Sequence, residues 1–198
     1  AVLLAICVYS YFALTNEFFA THRTGYAIME RFAVLGLVGL ALTLCIIAGE
    51  IDLSIGSNAA LAAVIVVRFT DSLGAVTALL IAILISTLVG AIQGYFIAYL
   101  RVRAIVLTVG TLMLLRGVAL FAAQEKTVML TDFRVPDFIS TKMFLYFSPA
   151  SLLVIAMFIV VGLFMTFTRY GREIYAIGGA RKEALAAGID LKRPMNIM

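Results

Sequence analysis

Residues 75–100 read AVTALLIAILISTLVGAIQGYFIAYL, with no charged side chain among them. About twenty apolar residues wound as a helix cross the ~30 Å hydrocarbon layer of a bilayer, so this run is a membrane span. Segments 32–49, 51–67, 104–123 and 149–168 read the same way, and 1–15 reads as the outer part of a further span rather than as a signal peptide. Apolar residues lie all round these segments, as on helices that face lipid or are wholly buried. The expected fold is therefore all-α, a polytopic integral membrane helical bundle with about six spans. Composition agrees: the chain is 64% hydrophobic and 13% charged with a mean hydropathy of +1.11, whereas soluble domains are roughly half apolar and about a quarter charged. An ordinary globular enzyme and a disordered segment are both excluded.

Cys7 and Cys45 lie in apolar runs, so they read as packing residues, with no disulfide framework and no metal site. The net charge of +4 comes from basic residues scattered over the loops. They form no stripe interleaved with aromatics, so nucleic acid is not an expected partner.

The connections set an orientation. Arg101 and Arg103 bracket one short link, and Arg169, Arg172, Arg181, Lys182, Lys192 and Arg193 follow the last span. Two spans separate these regions, which places them on one side, and the positive-inside rule makes that side cytoplasmic. The links 16–31, 68–74 and 124–148 then lie outside, with six basic and six acidic residues, against eight basic and three acidic inside. The stretch from Arg31 to Arg68 must enter and leave on the outer side. It does so as two full spans joined by a tight turn, or as a broken, re-entrant element, with the turning point at 49–57 in either case.

That turning point carries unexpected chemistry. Gly49 suits the position just past a helix end. Beyond it Ile51, Leu53 and Ile55 alternate with Asp52, Ser54 and Gly56, a period of two that predicts extended chain. Ser54 or Ser57 then caps the next helix. Irregular backbone at membrane depth is tolerated where it is buried in protein or lines a watery cavity, and ionisable groups there face a pathway or a partner. Asp52, Ser54 and Ser57 are thus candidates to line a polar translocation route. The competing interpretation is a plain hairpin turn with Glu50 and Asp52 in water. Further along, Arg116 lies inside the 104–123 span and either faces a cavity or snorkels outward. Thr108 and Thr111 on the same helix are candidates for the route or for helix packing. Gln93, with Gly90 and Gly94, reads first as close helix packing. In the tail, Gly171, Gly178 and Gly179 read as helix breakers ahead of a short helix over 180–187.

Chemistry other than transport finds little support. No Gly-x-x-x-x-Gly-Lys-Ser/Thr stretch is present, so ATP hydrolysis is expected from a separate partner. An intramembrane hydrolase built on Ser54 or Ser57 needs a positioned base. The one histidine, His22, lies in the first outer link. The chain is not expected to be an enzyme and is expected to bind no cofactor of its own.

Three stretches, in this order, carry a family resemblance: GEIDLSIGS, YLRVRAIVLTVGTLMLLRG and TRYGREIYAIGGARKEALAAGIDLKR. They resemble the membrane-spanning permease subunits of bacterial ATP-binding-cassette importers for monosaccharides, the group serving ribose, xylose, arabinose, galactose and the autoinducer-2 signal. Residues 51–57 match that family's Ile-Asp-Leu-Ser-x-Gly-Ser core. Glu50 departs from it by replacing a second Gly, Arg103 and Ala104-Ile105 depart from the usual small or uncharged residue and Ala/Pro-Phe, and Ala180 replaces an Asn. The resemblance implies a multi-pass protein of the bacterial inner membrane that passes a sugar inward. Its partners would be an ATPase subunit that consumes the ATP, a periplasmic substrate-binding protein and a second permease copy or homologue. It also implies that residues 1–198 are one permease domain within a longer chain of about ten spans. Residues 169–193 would form the cytoplasmic coupling loop, with Gly171, Arg172, Glu173, Glu183, Ala184 and Gly188 engaging the ATPase. The alternatives are the related importer class for branched-chain amino acids and an ion-coupled secondary transporter with a broken helix.

Overall fold

The computed structural model describes residues 2–124, 126, 137, 140–141, 143 and 146–189. Among them the regular elements are α-helices: α1 (Val2–Thr15), α2 (His22–Ile47), α3 (Ile55–Leu73), α4 (Ala75–Ala98), α5 (Ala104–Ala122), α6 (Pro149–Phe167), α7 (Arg169–Gly179) and α8 (Arg181–Ala186). All six apolar segments are helical, but four helices, α2, α4, α5 and α6, are long and apolar enough to cross a membrane. α1 is too short, with 14 residues. α3 begins later than expected and runs on through Arg68 and Asp71, which dilute its apolar character. The link expected at 16–31 is also shorter, because α2 starts at His22.

The chain forms two compact units. The first comprises Ala1–Leu37 and Pro136–Met157. Here α6 opens on a reciprocal cap: Ser148 donates its N–H to Ser151 Oγ at 2.9 Å, and Ser151 N–H reaches Ser148 Oγ at 3.3 Å. Pro149 follows at the first helical position, where a missing N–H costs nothing. Tyr146 lies on the His22 ring, with centroids 5.3 Å apart, and against Gly25, while Tyr26 OH donates to the Ser140 carbonyl.

The second unit comprises Val38–Val135 and Phe158–Met198. In it α3 packs against α4 and α5. The buried positions of α3 include 57, 61 and 65; those of α4 include 78, 82 and 93; those of α5 are 104, 108, 115 and 119. Spacings of four and eleven residues keep each set on one helix face. Because successive helices reverse direction, the seam has two ends. Leu61, Ile65, Ala82, Leu115 and Ala119 form an apolar cluster at one end. Ser57, Gln93 and Thr108 are buried polar side chains at the other. Lipid competes well for apolar side chains, so close contact through small residues such as Ala78, Ala82 and Ala119, together with hydrogen bonds, holds such helices together.

Candidate functional site

The polar end of the seam is built on the break between α2 and α3. Gly49 has φ +77. Its N–H donates to the Ile46 carbonyl and that of Glu50 to the Cys45 carbonyl, each at 3.0 Å. This is the paired closure of a helix ending on a left-handed residue, which glycine adopts without strain. Residues 50–54 are non-helical, and α3 starts at Ile55. The expected sequence of helix, short break and helix is what the structure shows.

Inside the break the expected capping arrangement is replaced by another. Ser54 occupies the N-cap position of α3 but makes no side-chain cap. Its N–H and its hydroxyl both donate to Asp52 Oδ1 at 2.7 Å, an Asx-type turn. The Ser54 oxygen in turn accepts from Gln93 Nε2 at 2.9 Å. Ser54 is 1% exposed, so this carboxylate–hydroxyl–amide chain ties the break to α4 inside the protein. Thr108 Oγ1 on α5 lies 3.4 Å from the Ile51 carbonyl and from that of Ile105. A cavity of about 90 Å³ opens here, lined among others by Cys45, Glu50, Asp52, Gln93 and Thr108. At ~30 Å³ per water it holds a few solvent molecules, and it falls well below the ~300 Å³ of a small-molecule pocket.

Asp52, Ser54 and Thr108 therefore come together, with Ser57 buried on the same face of α3. Thr111 bonds back to the Leu107 carbonyl of its own helix at 2.9 Å, and Arg116 is exposed, so neither joins this network. Gln93 is the residue whose part the sequence understated. Its signal was an amide on the same face as Ala82 in a helix otherwise free of large polar groups. Asn58, one turn beyond Ser54, donates to the Ser86 carbonyl at 3.5 Å, and its buried Oδ1 has no partner.

The candidates for the expected coupling loop lie on and just after α7 and α8. Thr168 caps α7 by accepting from Gly171 N–H at 3.1 Å. Arg169 Nε donates to Glu173 Oε1 at 2.7 Å, and Arg172 Nη1 to the Phe167 carbonyl at 3.3 Å. The hydrogen bond to Glu173, helped by its charge, raises the Arg169 guanidinium further above its ordinary range. The tail glycines do not break α7, which is helical through Gly171, Gly178 and Gly179. Two of them serve close packing instead: a Cβ on Gly171 would strike the Met165 backbone, and one on Gly178 the Ile47 carbonyl at the end of α2. Ile174 packs with Ala48 and Met165, and Ile177 with Ala98 and Ala184. Ala180 precedes α8 without a capping side chain. Gly188, φ +80, closes α8, with Ile189 N–H reaching the Ala184 carbonyl at 3.0 Å. Glu183 is exposed. Residues 190–193 of the expected coupling loop lie outside the described residues. Glu50, one of the departures from the resembled pattern, accepts from Arg181 Nη1 at 2.9 Å.

The profile of the family described as "Branched-chain amino acid transport system / permease component" matches residues 26–196. The chain belongs to that family. The permease is also similar to the inner membrane ABC transporter permease protein YjfF of Escherichia coli (strain K12), at 27% identity over 96% of this chain and 60% of the relative. It resembles the D-allose transport system permease protein AlsC of the same organism, at 28% identity over 96% of this chain and 59% of the relative. A third relative is the L-arabinose ABC transporter permease protein AraH of Azospirillum brasilense, 25% identical over 97% of this chain and 57% of its own length. The permease thus spans about three fifths of the length of these curated relatives. No solved structure matches. With four apolar helices long enough to span and this family membership, the permease is a multi-pass inner membrane protein.

Proposed function

We propose that this chain is part of the membrane-spanning subunit of an ATP-driven importer that passes a sugar or sugar-like solute from a periplasmic binding protein into the cytoplasm. The observation that carries this is the chain from half-buried Asp52 through buried Ser54 to buried Gln93, in an unwound stretch of a permease-family protein. Buried polar groups on irregular backbone between membrane helices are what a translocation route needs. Asp52, Ser54, Ser57 and Thr108 shape that route, and about six spans are reached with α3 and with α1 as the outer part of a further span. The small cavity is no enclosed sugar pocket, so selectivity rests with the binding protein. The ATPase subunit docks on α7–α8 and hydrolyses the ATP, and a second permease copy or homologue completes the pore. Because α7 rests on the end of α2 through Gly178, movement at the docking helices reaches the break.

The sugar class is favoured by the D-allose and L-arabinose permeases among the relatives. The family's own description favours branched-chain amino acids and keeps that class as the second reading. The test is uptake into proteoliposomes that contain the full-length permease with its ATPase and binding protein. Labelled aldose uptake that requires ATP, and that falls at least about tenfold in Asp52→Ala, is expected; a tenfold change corresponds to ~1.4 kcal/mol. Uptake of leucine and no sugar selects the amino-acid class. Uptake driven by an ion gradient without ATP overturns the proposal.

A further inference from the structure

A second and much larger cavity, about 830 Å³, opens beside the break at the α4–α5 link. Its walls carry Arg101, Arg103 and Arg181 against a single carboxylate, Glu50. Arg181 already engages that carboxylate at 2.9 Å. Among the described residues Arg101 and Arg103 have no acidic partner. Two guanidiniums two residues apart, facing one cavity, repel each other unless an anion joins them. Guanidinium forks fit phosphate oxygens two at a time.

The rest of the lining is apolar or aromatic and includes Ile97, Tyr99, Ile105 and Leu185. The outer side chains at this end of α4 and α5 are apolar as well: Leu100, Ile105 and Val106 are more than half exposed. Tyr95 and Tyr99 stack with ring centroids 5.0 Å apart on the last turn of α4. Exposed tyrosines at a span's end mark the level of the headgroups. Positive charge thus sits at headgroup depth, next to surface that suits acyl chains. The backbone holds Arg101 at φ +54, a conformation that non-glycine residues keep where the surroundings impose it. Basic pockets between membrane helices are suited to anionic lipid headgroups.

We propose that this cavity binds the phosphate of an anionic phospholipid, gripped by Arg101 and Arg103, with Arg181 and Glu50 closing one wall. The site is independent of which solute the permease moves. The phosphate chemistry is shared with free inorganic phosphate, and the test separates the two sources. Full-length permease in uncharged detergent is given phosphatidylglycerol or phosphatidylcholine with the same acyl chains. Bound lipid is counted by native mass spectrometry and stability is followed by thermal unfolding.

Phosphatidylglycerol is expected to bind at least about tenfold more tightly than phosphatidylcholine, and its occupancy is expected to raise the unfolding midpoint. The double variant Arg101→Gln/Arg103→Gln is expected to reduce the preference below about twofold, with its midpoint in phosphatidylcholine unchanged, since the lost partner is the anion. If that variant does not fold, Arg103→Gln alone is measured; its side chain caps nothing, and a loss of at least about threefold is expected. Equal binding of the two lipids overturns the proposal, as does a preference that survives loss of the arginines. Protection by inorganic phosphate to the full extent, with no further gain from phosphatidylglycerol, overturns the lipid assignment in favour of free phosphate.

Discussion

Two connections in the second unit reverse the chain between apolar helices, and their chemistry is opposite. Residues 48–54 turn on Gly49, whose φ of +77 is natural to glycine, and fold Asp52 and Ser54 inward onto Gln93, leaving Glu50 to pair with Arg181 at the wide cavity. Residues 99–103 turn on Arg101, which holds φ +54 with a side chain attached, and present Arg101 and Arg103 to a wide cavity. Every polar atom turned inward must be matched by the protein, because unmet hydrogen bonds are costly away from water. Charges turned outward find solvent, lipid headgroups or counterions. The first connection is therefore sensitive to single atoms, and the second is tolerant of substitution in its fold.

The largest expected effect lies behind the first turn. Gly178→Ala drives a Cβ into the Ile47 carbonyl and is expected to cost about 3 kcal/mol or more in thermal unfolding of the full-length protein, as overpacking against rigid backbone does. Gly179→Ala, one residue on and with open space around it, is expected to be neutral or to stabilise by up to about 1 kcal/mol. Equal effects at 178 and 179 would remove the close contact from the account.

Asp52→Ala comes next. It deletes the acceptor of two 2.7 Å bonds, and a loss of about 2–4 kcal/mol is expected, since bonds to a charged group contribute about 1.5–3 each before water replaces them. Arg103→Gln in the other connection is expected to change stability by less than about 0.5 kcal/mol in uncharged detergent. A comparable loss at both sites would erase the distinction between the turns.

Exchanging the turn residues is a more delicate test. Gly49→Ala is expected to destabilise by about 1–2 kcal/mol, because a Cβ makes the left-handed region costly. Arg101→Gly is expected to stabilise by about 0.5–1 kcal/mol by relieving the same strain. Opposite signs in denaturant titrations sharpen the comparison, and like signs break it. The smallest effect belongs to Glu50→Gln. Its ion pair with Arg181 is partly exposed, with the side chains 19% and 46% accessible. A loss below about 1 kcal/mol that shrinks further at high salt is expected.

The helices were legible because their cause is local. A run without charge for twenty residues has few other solutions beside lipid. The break after Gly49 was legible for the same reason, since Gly49 and the period-two pattern after it contradict a helix, but the pattern overran the break: Ile55, Gly56 and Ser57 already belong to α3. Gln93 reads as packing from sequence because its partner, Ser54, is 39 positions away, and no local pattern announces such a pair. The tail glycines misled because glycine breaks helices in isolation and permits close contact in a packed protein. Only the presence of Met165 and Ile47 beside Gly171 and Gly178 decides between those roles.

Sequence by itself determined the all-helical membrane class, the place where the chain turns, and the polar residues carried there. Those follow from hydropathy, period and the conformational freedom of glycine, each a property of a few neighbouring residues. Tertiary structure alone decided that Ser54 would bond to Asp52 and Gln93 rather than cap its helix. It also joined Glu50 to Arg181 across 131 positions and gathered three arginines around one cavity. Each of these needs distant segments brought within hydrogen-bond reach, and that proximity comes from helix packing, which no local stretch of sequence encodes.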